Sequence, residues 1–111
     1  MNVATPVGFR NITPGELVAL APRPRIIDVR EPDEFTGELG HVPGAELVPL
    51  ATVLAAAHPW DRDERFVIAC RSGARSAKAA SSLVALGFKN LMNLDGGMTA
   101  YALAGLPVER G

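Results

Sequence analysis

The sequence predicts an α/β fold organised around a parallel sheet, and three observations carry that prediction. Phe66–Cys70 (FVIAC) is a continuous apolar run, the pattern of a strand buried on both faces of a parallel sheet. Ser76–Leu86 places Ala79, Ala80, Leu83, Val84 and Leu86 on one helical face, and Gly87 stands where a helix-terminating residue is expected. Strand-like and helix-like segments alternate along the chain, as in βαβ units.

The elements follow in order. Residues 1–8 read as a flexible leader, and residues 9–111 as a single domain. Thr13 fits an N-cap, Pro14 the first helical position and Glu16 the reciprocal position of a capping box. Ile12 and Leu17 fit a hydrophobic staple across that start. The spacing predicts a helix to about Ala21, stopped by Pro22 and Pro24. Arg25–Val29 reads as a strand. Glu31-Pro32-Asp33-Glu34-Phe35 starts a helix with acids in its first turn. Gly37, Gly40, Pro43 and Gly44 mark a loop. Ala45–Val48 reads as a strand, Leu50–Ala57 as a helix and Pro59–Arg65 as a charged connection. After the central strand and helix, Leu91–Leu94 is a last short strand. Gly96-Gly97 is a turn, and Met98–Ala104 is a helix closed by Gly105 and Pro107.

Composition excludes several classes of function. Eleven basic and twelve acidic residues give a net charge of −1, which argues against binding nucleic acid or an anionic membrane. One cysteine rules out an internal disulfide and suits a reduced, cytoplasmic protein. The opening residues MNVATPVGFR lack the basic and apolar regions of a signal peptide. The longest apolar stretch, Leu47–Ala57, is too short to span a bilayer. Two histidines and one cysteine without ligand spacing give no expectation of a metal. A monomer is the default.

The chemistry gathers at the lone cysteine. Functional groups in open parallel sheets collect at the carboxyl ends of the strands, and Cys70 closes a central one. The loop Arg71, Ser72, Gly73, Ala74, Arg75 leads to a helix beginning near Ser76. Such a tight loop turns backbone N–H groups inward and makes an anion cradle. Gly73 relieves the steric cost of a positive φ. Arg75, together with Arg71, adds positive charge. A thiol at the centre of this cradle loses its proton more easily, with no histidine needed as base. The plainer alternative is a buried, inert cysteine with solvated arginines.

The run Cys70–Ser76 (CRSGARS) resembles the active-site loop of single-domain rhodaneses, the thiosulfate-type sulfurtransferases. The rest of that family's pattern follows in order: Ile27–Phe35 (IDVREPDEF), Gly40–Ala45 (GHVPGA), Leu94–Gly97 (LDGG) and Ala104–Pro107 (AGLP). The resemblance covers about residues 12–109. It implies a rhodanese-like fold, a five-stranded, mostly parallel sheet with helices on both faces. It implies that the Cys70 thiolate attacks the outer sulfur of a small anionic donor such as thiosulfate, releasing sulfite. The persulfide left on Cys70 then passes its sulfur to cyanide, a thiol or a protein acceptor. No organic or metal cofactor is implied. Tyr101 stands where the family often has Trp, and Glu46 where many members have Asn.

A relative of this fold uses a similar loop as a phosphatase or arsenate reductase. Phosphatase loops of the tyrosine-phosphatase type place five residues between cysteine and arginine, whereas only four separate Cys70 from Arg75. A smaller ring of amides leaves less room for a tetrahedral phosphate. Sulfite also departs well as an anion, whereas an ester oxygen benefits from a general acid, and the loop holds no Asp, Glu or His. A third reading is a non-catalytic rhodanese-like binding module. Such modules commonly lack the cysteine that this chain retains.

Asp28, Arg30 and Glu34 sit near the same edge. One reading makes Asp28 and Glu34 supports that position Arg30 or Arg75 at the loop mouth. The favoured one is a structural ion pair with helix-capping acids. His41 reads as a surface residue of a Gly/Pro turn. Ser72 and Ser76 are candidate hydroxyl donors to a bound anion, with Ser76 equally an N-cap. Met98 and Tyr101 read as core packing.

Overall fold

The computed structural model describes residues 8–111. Of the expected leader, residues 1–7 lie outside the described residues. Five strands form one sheet: β1 (Arg10–Ile12), β2 (Arg25–Asp28), β3 (Glu46–Leu47), β4 (Arg65–Ala69) and β5 (Asn90–Leu94), in the order β1-β5-β4-β2-β3. Every pairing is parallel, so all five carboxyl ends share one edge. The helices are α1 (Pro14–Ala19), α2 (Pro32–Phe35), α3 (Val53–Ala56), α4 (Ala74–Ala85) and α5 (Gly97–Leu103).

The unbroken apolar run on β4 has a simple cause. Phe66, Ile68 and Cys70 point into one core, with Val53 of α3 and Ala79, Ala80 and Leu83 of α4. Val67 and Ala69 point into the other, with Leu17 of α1 and Met98 and Tyr101 of α5. Side chains alternate across a strand, and helices cover both faces, so every position is apolar. The expected core placement of Met98 and Tyr101 holds: both are buried, and the Tyr101 hydroxyl donates to the Pro107 carbonyl at 2.9 Å.

The start of α1 follows the expected chemistry. The Glu16 N–H donates to Thr13 Oγ1 at 3.1 Å, the Thr13 N–H donates to Glu16 Oε1 at 2.8 Å, and Ile12 and Leu17 are buried in the same cluster. The helix ends at Ala19, two residues earlier than predicted. Residues 50–57 are not one helix. A 3₁₀ turn (Leu50–Thr52) precedes the single turn of α3. Strand β1 has no counterpart among the segments read from residue pattern; only Ile12 of its three residues is buried. Among the described residues no helix is long and apolar enough to cross a membrane.

Candidate active site

Strand β4 delivers Cys70 to the carboxyl edge of the sheet, beside the end of β2, where Asp28 is in register with Ala69. Cys70 is 1 % exposed. Behind it the chain turns at Gly73, whose φ is +100°. That left-handed conformation strains any residue with a Cβ, and it lets the loop fold back over the sulfur. The Gly73 N–H donates to Cys70 Sγ at 3.1 Å, and the Ser76 hydroxyl donates to it at 3.3 Å.

These contacts set the protonation of the thiol. Burial pushes the Cys70 pKa up. The Ser76 hydroxyl and the backbone N–H groups of Ser76, Gly73 and Ser72 oppose it, and together they hold the thiol below its ordinary value. The sulfur therefore sits as an acceptor inside a ring of donors, and the donors prevail over desolvation.

Helix α4 begins at Ala74 with Gly73 as N-cap, not near Ser76. Ser76 is consequently not the cap. It lies in the first turn, fully buried, with its hydroxyl facing both the sulfur and the Gly73 carbonyl. Arg71, Ser72 and Ala74 are exposed at the rim.

Arg75 is placed differently from a free cation aimed at the cradle. Its guanidinium makes two parallel bonds to Glu34, Nη1–Oε1 and Nη2–Oε2, each 2.8 Å. Glu34 also accepts the Glu31 N–H at 3.0 Å through Oε1, tying the start of α2 to the loop. The Arg75 guanidinium holds the Glu34 carboxyl down to about 2, against the opposing effect of burial, and the carboxylate raises Arg75 in turn. Arg71 has no hydrogen bond or ion pair to a side chain among the described residues.

Asp28 and Arg30 form a buried pair, each 1 % exposed. Arg30 Nε donates to Oδ1 at 2.9 Å and Nη2 to Oδ2 at 2.8 Å, and Nη2 also reaches the Gly40 carbonyl at 2.7 Å. Its donors thus stitch the end of β2 to the following loop. His41 is a correction to the surface reading. It is 3 % exposed and stacked flat on Phe35 at 3.6 Å, and its Nδ1–H donates to the Phe35 carbonyl at 2.8 Å. The Gly/Pro surroundings suggested an open turn, but this segment folds back and bridges to Glu109.

One support escaped the residue pattern. The Met98 N–H donates to the Cys70 carbonyl at 2.8 Å and the Thr99 N–H to the Arg71 carbonyl at 3.0 Å, so the start of α5 braces the loop from behind. Gly96 and Gly97 both have positive φ, and a Cβ on Gly97 would lie 2.5 Å from the Cys70 and Arg71 carbonyl oxygens. The adjacent glycines read as a turn were the available signal. Asn93, a polar residue inside the apolar β5, is also buried behind the loop, with Nδ2 3.4 Å from the Gly73 carbonyl.

Comparison with known proteins agrees with this architecture. The profile of the Rhodanese-like domain matches residues 13–104. The chain is 30% identical over 100 residues to the thiosulfate sulfurtransferase GlpE of Pseudoalteromonas translucida, covering 88% of this chain and 93% of that one. It is 37% identical over 85 residues to an uncharacterised Synechocystis protein, covering 77% of this chain but only 46% of that relative's length. Among solved structures, a rhodanese-related protein from Thermoplasma volcanium superposes with a TM-score of 0.83 at 26% identity, covering 93% of this chain and 100% of that one.

Proposed function

Because this chain belongs to the rhodanese-like domain family, we propose that it is a sulfurtransferase that carries a sulfane sulfur on Cys70. One observation supports this most: Cys70 Sγ lies 3.1 Å from the Gly73 N–H and 3.3 Å from the Ser76 hydroxyl, in a ring that stabilises a thiolate. The thiolate attacks the outer sulfur of an anionic donor. The donor's S–S bond breaks, its electron pair leaves with sulfite, and a Cys70 persulfide remains. An acceptor nucleophile then takes the terminal sulfur and returns the thiolate. The name of the Pseudoalteromonas relative favours thiosulfate as donor; cyanide, a small thiol or a protein thiol completes the cycle.

The catalytic assignment is Cys70, with the loop Arg71, Ser72, Gly73, Ala74, Arg75 and Ser76 forming the anion site through its backbone N–H groups, the Ser72 and Ser76 hydroxyls and the Arg71 guanidinium, while the Arg75 side chain is held by Glu34. In the persulfide the transferable sulfur is bonded to Sγ at about 2 Å. A recessed sulfur with a four-residue spacer to Arg75 suits a terminal sulfane sulfur better than a phosphorus surrounded by four oxygens. Asp28, Arg30 and Glu34 act as structural supports of the edge rather than as substrate contacts. A cytoplasmic location belongs to the same reading, since a lone free thiol suits a reducing compartment.

The test is a paired assay. The protein is expected to form thiocyanate from thiosulfate and cyanide, with Cys70→Ser inactive. Hydrolysis of an aryl phosphate without thiocyanate would replace this reading by a phosphatase. Neither reaction from a reduced thiol would leave a binding module.

A further inference from the structure

We infer that Asn93 is a positioning residue that directs the Ser76 hydroxyl proton onto the Cys70 sulfur. The inference rests on the reading of Cys70 as an activated nucleophile. Ser76 has one hydroxyl proton and two acceptors within reach, Cys70 Sγ at 3.3 Å and the Gly73 carbonyl at 3.2 Å. A proton spent on the carbonyl is lost to the thiolate.

The carbonyl is supplied by other donors. The Ala77 N–H reaches it at 3.1 Å, as the first turn of α4 requires, and Asn93 Nδ2 reaches it at 3.4 Å. A carbonyl oxygen has two lone pairs, and these two donors occupy them. The Ser76 proton is then free for the sulfur, which is the better acceptor once it carries charge.

The orientation of the Asn93 amide supports this. Its Nδ2 also donates to Asn11 Oδ1 at 2.9 Å, so both amide hydrogens are used. Its Oδ1 is the buried side-chain polar atom left without a partner among the described residues. Turning the amide over would bring Oδ1 against the Gly73 carbonyl oxygen, setting acceptor against acceptor. The orphaned oxygen marks an amide held in place for its donors.

The charges around the sulfur do not change when neutral Asn93 is replaced by another neutral side chain. They are Arg71 in the loop, the Arg75–Glu34 pair from α4 and α2, and the Asp28–Arg30 pair from β2. Asp95, after β5, is exposed.

The experiment is the pH profile of Cys70 alkylation by iodoacetamide, read on the full chain for wild type, Asn93→Leu, Asn93→Ala, Ser76→Ala and Asn93→Leu/Ser76→Ala. Circular dichroism identifies the folded variants, and the alanine variant serves where leucine does not pack. Removing the Ser76 hydroxyl is expected to raise the midpoint by about one pH unit, and either Asn93 substitution by about half a unit. The double variant is expected to match Ser76→Ala alone. An unchanged midpoint in the Asn93 variants overturns the proposal. So does a shift of equal size with and without Ser76, since Asn93 would then act by another route. A wild-type midpoint in the ordinary thiol range defeats the activated-nucleophile reading itself, a result distinguishable from both.

Discussion

Glu34 grips Arg75 through two 2.8 Å bonds, joining the first turn of α2 to the first turn of α4 beside Cys70. The Arg75 guanidinium is thus already neutralised, and Arg71 is the loop cation without such a partner among the described residues. Bidentate geometry fixes the direction of Arg75 as well as its charge. Removing the arginine alone leaves a carboxylate facing an anionic donor. Arg75→Ala is therefore expected to lower kcat/KM for thiosulfate by roughly tenfold. Arg75→Ala/Glu34→Gln should recover most of that loss, because the exposed charge is gone. Steady-state kinetics of the two variants decides it; a double variant no better than Arg75→Ala would show that the guanidinium itself holds the donor.

The same pair gives the fold an acid-sensitive contact. Glu34 titrates near 2 in the folded protein against an ordinary 4.5. Above about pH 4.5 it is charged in both folded and unfolded chains, and the stabilisation is fully present. As pH falls from 4.5 toward 2, the unfolded chain takes up the proton first and the stabilisation is lost. Both side chains are partly exposed, so the contribution is screened by solvent. Urea unfolding of wild type and Glu34→Gln between pH 7 and 2.5 should show a stability gap that is constant at first and narrows below pH 4.5. A gap independent of pH would mean that the charge on Glu34 does not stabilise the folded protein.

Gly97 is the most constrained position behind the site. A Cβ there meets two backbone oxygens at 2.5 Å, and the φ of +59° adds its own strain. Gly97→Ala should lose at least about 1–2 kcal/mol from the backbone conformation alone. It should also slow alkylation of Cys70, since the loop must shift to admit the methyl group. Thermal unfolding and the alkylation rate, measured together, check both parts. A stable variant with unaltered Cys70 reactivity would show that α5 does not brace the loop.

Breaking the buried Asp28–Arg30 pair should be costlier. With each partner 1 % exposed, Asp28→Ala leaves a guanidinium uncompensated in the interior. The expected loss is about 3–5 kcal/mol, visible as a lowered urea midpoint or failure to accumulate folded protein. A loss below about 1 kcal/mol would show that Arg30 finds water or another acceptor.

Much of this architecture was legible in residue order. The apolar run ending at Cys70, the Thr13–Glu16 capping box and the helix after the loop all depend on local pattern, and each is present, the helix starting two residues earlier than its pattern suggested. What the residues hid depends on partners distant in sequence. Strand β1 offers only Ile12 to the core, and its pairing with β5 creates it rather than any alternation of its own. The choice of Glu34 as partner to Arg75 spans 41 residues and is set by where α2 lands. His41 looked like a turn residue until Phe35 folded over its ring. The support of the loop by Met98 and Thr99 uses backbone N–H groups, which carry no side-chain signature.

Sulfur transfer through Cys70 requires that its thiolate accept one sulfur atom and give it up again. Intact mass spectrometry after incubation with thiosulfate tests it without reference to any acceptor. The wild-type chain is expected to gain one sulfur atom, a gain absent from Cys70→Ser and removed by cyanide. A wild-type mass unchanged by thiosulfate, with the thiol reduced and alkylatable, would contradict it.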